Sequence, residues 1–157
     1  MIQEIEIGRI SEWFGHEFVS DWVTLDQDRI SAFADVTDDH NWVHVDVERA
    51  KALRGTTIAH GFLVLTLLPG LVYKMMKVTG VAHALNYGVD NVRFTGIVNT
   101  GSRVRLRMKI TGQKPRGDGV VISYDFVFER ENEEKPACVG ELLAIAFPEA
   151  GETRPSA

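Results

Sequence analysis

The chain holds a single cysteine, Cys138, so no disulfide can form within it and the fold must rest on burial rather than cross-links. An excess of positive charge is lacking as well. The 17 Lys and Arg are outnumbered by 22 Asp and Glu, for a formal net charge of -5. General attraction to nucleic acid is thereby excluded, and an anionic ligand would need a local basic patch. No apolar run reaches membrane-spanning length. The most hydrophobic stretch, Gly61 to Tyr73, falls short of the ~20 residues a membrane helix needs, and Pro69-Gly70 interrupts it. The opening MIQEIEIGRISEW mixes acids with apolar residues and lacks the basic-then-apolar order of a secretion signal. The expected location is the cytoplasm, with neither nucleic acid nor membrane as a partner. Internal repeats are absent, and low complexity is confined to the closing PEAGETRPSA.

What is present is an ordinary globular composition, 45% hydrophobic and 25% charged over 157 residues, enough for one domain with one core. The domain is expected to span residues 1–148, with 149–157 a flexible tail. Thr24 to Val36 reads as a helix, with Thr24 or Asp26 as its cap and Ile30, Phe33 and Ala34 on one apolar face. The polar cluster Thr37-Asp38-Asp39-His40-Asn41 breaks that pattern and reads as a loop. A short helix from Asp46 to Leu53 follows. Gly61 to Val78 is apolar on every side, which a helix tolerates only when other structure wraps it. Pro69 inside it would remove a hydrogen bond, so a bend or break is expected there.

The second half of the chain changes period to two. From Arg103 to Ile110 every even position is apolar and every odd one basic, and Ile122, Tyr124, Phe126 and Phe128 alternate in the same way. Both are strands with one face on a core and one mostly solvated. Leu85 to Phe94 and Ala137 to Phe147 are further strand candidates, with turns at Asn99-Thr100-Gly101 and at 116–119. Antiparallel strands after a buried helix make an α+β domain, in which a curved antiparallel sheet wraps around the long helix.

The densest polar cluster is Asp38 to His44, where three chemistries compete with a plain helix-capping role. His40 and His44 stand four apart, a spacing that would aim both at one metal ion on a helix, but the stretch reads as a loop. A third ligand is not evident, because His60 follows after a helix and His16 and His83 sit in unrelated segments. Nucleophilic catalysis would need an activated Ser or Cys, and neither Ser31 nor Cys138 lies in a recognisable elbow. General acid-base chemistry by Asp39 and His44 sharing one water is the third reading.

The string FADVTDDHNWVHVDVERA, from Phe33 to Ala50, followed by GTTIAHGFLVLTLLPGL, resembles the MaoC-like dehydratases, the R-specific enoyl-CoA hydratases also called hydratase 2. The phrases DWVT, HVDVERA and NYGVDNVRF look most like the subgroup that contains nodulation protein N. The family motif is an Asp, four residues and a His, with Asn second after the Asp and IAHG downstream. Asp39, Asn41, His44 and the segment from Ile58 to Gly61 match it. Two positions depart: the family often has Gly where Asp38 stands and Pro where Trp42 stands. A Ser found well into the helix of some members is replaced here by Thr66 and Pro69.

The resemblance implies a single hot-dog domain that hydrates trans-2-enoyl thioesters or runs the reverse dehydration. In that reading Asp39 and neutral His44 hold the water, and the Gly61 amide steadies the charge developing on the thioester oxygen. Asn41 orients the loop or the dyad, His60 bonds within the loop layer, and both are counted with Gly61 among the residues that bind substrate. Trp42, Phe62 and Tyr73 are candidates for shaping an acyl tunnel. No metal or redox cofactor is implied, since the substrate carries coenzyme A or an acyl-carrier pantetheine. A homodimer joined sheet edge to sheet edge is expected. The alternatives are an acyl-CoA thioesterase on the same fold and a non-catalytic thioester-binding or signalling protein. The ladder Arg103, Arg105, Arg107 and Lys109 can be read as a coenzyme A phosphate site or as a solvated sheet face paired with acids such as Asp125 and Glu129. Arg93 is a comparable phosphate candidate.

Overall fold

The computed structural model describes residues 2–149. Its largest element is an antiparallel sheet built from β5 (Val81–Phe94), β6 (Arg103–Arg116), β7 (Gly119–Arg130) and β8 (Glu133–Pro148). With β2 (Glu17–Val19) the order across the sheet is β2-β6-β7-β8-β5, and β3 (Val23–Thr24) also pairs with β6. The alternation read from the sequence sets the two faces. Val104, Leu106, Met108 and Ile110 are buried, as are Ile122, Tyr124, Phe126 and Phe128. Each such aliphatic or phenyl side chain contributes roughly 1.5–3 kcal/mol relative to leaving it in water. Gly117 has φ +57°, the positive value a tight two-residue hairpin loop needs at its first position, and it lets β6 turn into β7 with Arg116 opposite Gly119.

The helical layer starts with α1 (Gln27–Thr37), where Asp26 rather than Thr24 is the cap and accepts from the Arg29 amide. Thr24 belongs to β3. Ile30 and Ala34 turn into the core, with Phe33 partly buried beside them. A one-turn helix, α2 (Trp42–Val45), was not expected, so His44 stands on a helical turn rather than on a loop. Asp46 then caps α3 (Val47–Arg54).

The long helix expected over 61–78 is two helices and a strand. α4 (Gly61–Thr66) gives way to α5 (Leu68–Met75), and Met76–Thr79 is β4, paired in parallel with β1 (Gln3–Glu6). Pro69 falls in the first turn of α5, where its missing N–H has no partner to lose, so the break comes just before the proline. Nor is this helical pair wrapped on all sides. Leu63, Val64, Leu68, Leu71 and Met75 pack into the sheet, while Phe62 and Tyr73 stay exposed. Pro148 pairs with Val81, and the Glu149 amide donates to Gly80 O. The rest of the expected tail, residues 150–157, lies outside the described residues.

Candidate active site

α1 ends at Asp38, which takes the left-handed conformation at φ 58° and points away as an exposed residue. Asp is among the few non-glycine residues that visit this region readily, so Asp38 can fill a position where glycine is the easier choice. The turn presents Asp39 on the loop that follows. Asn41 caps α2, with its side-chain oxygen accepting from the Val43 amide at 3.3 Å and its own amide 3.4 Å from Asp39 Oδ1. Asn41 thus makes both of these bonds within the loop and the first turn of α2.

His44 reaches inward from α2. Its Nδ1 donates to Ile58 O at 2.8 Å, and because a carbonyl can only accept, the proton sits on Nδ1. Nε2 is left to act as a base. Burial holds the imidazole below its ordinary pKa of 6.5, against the opposing pull of the Ile58 bond, and neighbouring His60 adds to the lowering. The ring is thus neutral at pH 7.

His60 stacks on His44 with ring centroids 3.7 Å apart, although the sequence had seemed to separate them. Its Nε2 donates to Asp39 O at 2.9 Å and lies 3.9 Å from Asp39 Oδ2. The residue is 2% exposed, and its Nδ1 is buried without a partner. His60 thus ties the start of α4 to the loop that carries Asp39. Asp39, His44 and His60 place their ligand-type atoms within 4.8 Å of one another. His44 Nδ1 is committed to the Ile58 carbonyl and His60 Nε2 to the Asp39 carbonyl, which leaves His44 Nε2, the buried His60 Nδ1 and the Asp39 carboxylate uncommitted. His40 does not join them; it bonds Asp35 at 3.0 Å on the surface.

A cavity of about 230 Å³ opens beside His44, walled by Ile58, Gly61, Val64, Phe94 and the 95–98 segment. Gly61 is needed there, because a Cβ at this position would lie 2.8 Å from the Phe94 ring. Phe62 meets the same ring edge-on. Trp42 lies under the Arg49 guanidinium, 4.4 Å from its ring centre. Tyr73 lines a second, apolar cavity of about 240 Å³ with Pro69, Val72, Leu85 and Tyr124, which shares no wall with the first. Thr66 bonds the Leu63 carbonyl within its own helix.

The basic ladder is paired with acids. Arg105 and Arg107 both bond Glu129, at 2.5 and 2.7 Å, and Arg103 bonds Glu131 at 2.7 Å. Arg107 also bonds Glu17, which stands 3.7 Å from Lys109. Of the two acids expected as partners, Glu129 serves; Glu17 and Glu131 are additions. Arg93 turns back to the Val92 carbonyl.

A family model, the MaoC like domain, matches residues 12–126 of the chain. The chain belongs to the MaoC-like family. Two relatives are similar over most of the chain. A 3-hydroxyacyl-thioester dehydratase Z of Mycobacterium tuberculosis is 50% identical over 126 residues, covering 79% of this chain and 83% of the relative. Nodulation protein N of Rhizobium leguminosarum is 40% identical over 149 residues, covering 92% of each. An R-hydratase of Pseudomonas aeruginosa superposes with a TM-score of 0.72 at 20% identity, over 92% of this chain and 91% of the other, which confirms the hot-dog fold. Dehydratase-type chemistry is the activity these MaoC-like relatives support.

Sequence reasoning missed the Ile58 carbonyl, the stacking of His60 on His44 and the 95–98 wall. A backbone acceptor has no residue signature, and the other two are long-range contacts. The IAHG match was the one signal that pointed toward His60.

Proposed function

We propose that the chain is an R-specific enoyl-thioester hydratase, running in either direction, with Asp39 and His44 as its catalytic pair. The observation that carries this is the neutral His44 ring, held by Ile58 at the wall of a cavity with Nε2 free and the Asp39 carboxylate beside it. The pair holds one water. As its oxygen bonds to the β-carbon of a trans-2-enoyl thioester, one water proton passes to the pair, and the pair returns a proton to the α-carbon on the same face. The net change is addition of one water, so neither a metal nor a redox cofactor is required. Negative charge builds on the thioester oxygen during the step, and the Gly61 amide at the start of α4 is the donor we assign to it. Asn41 and His60 hold the loop and the carbonyl of Asp39 in place. The apolar cavity walled by Tyr73 offers room for acyl carbons. The thioester is carried by coenzyme A or an acyl-carrier pantetheine, and the lone, unbridged Cys138 fits a cytoplasmic setting.

We further infer a homodimer joined along β5. This strand ends the sheet among the described residues. It exposes Leu85, Tyr87, Val89 and Phe94, with Phe62 and Tyr73 beside it on the helices. An apolar edge of this kind is an aggregation liability unless it is covered.

The test is to follow absorbance of the conjugated thioester beside release of free thiol. Loss of conjugation with the thioester intact is the expected result. Thiol release at the same rate would instead make the chain a thioesterase, and neither signal, with thioester bound, would make it a binding protein.

A further inference from the structure

His44 is held from two directions. Its ring donates to Ile58 O, and its own carbonyl accepts from the side-chain Nε2 of Gln27 at 2.8 Å. Gln27 is the first residue of α1. The oxygen of the same amide accepts the hydroxyl of Thr57 at 2.5 Å, and Thr57 precedes Ile58 and is 2% exposed. Thr57 Oγ1 also lies 2.5 Å from Thr100 Oγ1, and Gln27 Nε2 reaches Ser31 Oγ at 3.2 Å.

Donor counting fixes each direction. The His44 carbonyl only accepts, so the NH₂ of Gln27 must face it and the amide oxygen must face Thr57. Thr57 has one hydroxyl proton and gives it to Gln27 at 2.5 Å, and Thr100, 3.5 Å from the same Gln27 oxygen but 2.5 Å from Thr57 Oγ1, donates to the nearer Thr57. Turning the Gln27 amide over would set two carbonyl oxygens against each other. The result is a chain of bonds with one polarity, running from Thr100 through Thr57 and Gln27 to His44, in a part-buried setting where such bonds reinforce one another.

We propose that Gln27, together with Thr57, is a positioning clamp for His44. One end of a single amide holds the α2 backbone, and the other holds the segment whose next carbonyl orients the imidazole. The spacing between them sets where Nε2 points in the 230 Å³ cavity. Gln27 does not itself line the cavity and bonds His44 through the backbone carbonyl, so it acts through His44. The inference rests on the acid-base reading of that residue.

The clamp predicts a pattern that a space-filling role would not give. The charged or titratable groups acting on His44 are His60, Asp39 and Arg54. Changing Gln27 or Thr57 removes none of them, so a change in His44 titration would report geometry and hydration. The full chain would be compared with Gln27→Met, Thr57→Val and Thr57→Ser by steady-state kinetics across pH and by ¹⁵N NMR of the imidazole. Gln27→Met and Thr57→Val are expected to lower kcat by about 10-fold or more with little change in KM, since small misplacements of a catalytic group are costly. The acidic limb should move up toward the ordinary 6.5 as the ring gains water, and the Nδ1–H tautomer should lose its dominance. Thr57→Ser, which keeps the hydroxyl, should stay near the parent.

Folded Gln27→Met or Thr57→Val with unchanged kcat and tautomer would overturn the clamp. So would Thr57→Ser as impaired as Thr57→Val. If Gln27→Met does not fold, the two Thr57 variants decide alone. The NMR arm needs no turnover. A parent without hydratase activity whose tautomer still shifts in the variants would sink the proposed function and leave the clamp standing.

Discussion

Adding one methyl group at Gly96 should destabilise the fold and disturb the cavity beside His44 together. A Cβ there would lie 2.6 Å from Pro136 O and 2.8 Å from Cζ and Nε of Arg130. Neither neighbour can yield easily. The Pro136 carbonyl already accepts the Thr95 hydroxyl at 2.6 Å, and the Arg130 guanidinium bonds Lys135 O at 2.8 Å and Ile97 O at 2.9 Å. Relief requires either a backbone shift, with an overpacking cost of about 1–3 kcal/mol, or loss of one Arg130 bond, worth about 1.5–3 kcal/mol. Taking about 1–3 kcal/mol for either route, and about 2–4 °C per kcal/mol at this chain length, Gly96→Ala should lower Tm by roughly 2–12 °C. Calorimetry or a circular-dichroism melt reads this directly. Because Gly96 and its neighbours wall the His44 cavity, the folded variant should also lose turnover. A Tm within about 1 °C of the parent would refute the reasoning, since it would mean that the 95–97 segment moves freely.

Asp39→Asn and His44→Ala should each lower turnover by about 10²-fold or more with the fold intact, the usual scale for losing a positioned acid-base group; near-normal rates in both would remove the pair from the mechanism. His44 must be neutral to act, and burial lowers its pKa, so activity should rise with pH through a limb centred below 6.5. A limb above 6.5, with chemistry rate-limiting, would contradict this. Glu129 is held below the ordinary carboxylate pKa chiefly by its bond to Arg107. The stability it lends is present above its unfolded value of about 4.5 and lost as pH falls through the lower folded value. The Tm gap between the parent and Glu129→Gln should therefore be open at pH 7 and close in acid; a gap that does not vary with pH would refute that pairing. Chelator should leave the hydration rate unchanged, whereas loss of rate restored by one equivalent of zinc would recast Asp39, His44 and His60 as ligands.

The parts of the fold that were legible are those where a local pattern repeats. The even residues from Val104 to Ile110 are all buried because the pleat enforces a period of two, and Asp26 marks the start of α1 because a cap is a local bond. The helix over 61–78 was misread because its apolar run continues through Met76 and Val78, which pack from β4, so hydrophobicity alone gave no stop. His40 and His44 share a spacing of four, but α2 begins at Trp42, which leaves His40 outside any common helical face. The pair Asp39 and His44 was named from its motif. Its surroundings depend on contacts between distant segments, the His60 ring on His44 and the Gln27 amide on the His44 carbonyl, and no spacing in the chain encodes these.

The most direct measurement is the configuration of the product formed from crotonyl-CoA in deuterated water, with the thioester bond monitored alongside. Addition of water by Asp39 and His44 to one face should give (R)-3-hydroxybutyryl-CoA with deuterium at the α-carbon on the same side as the new hydroxyl. Racemic or S product, deuterium on the opposite side, or free coenzyme A without hydration would contradict the assignment.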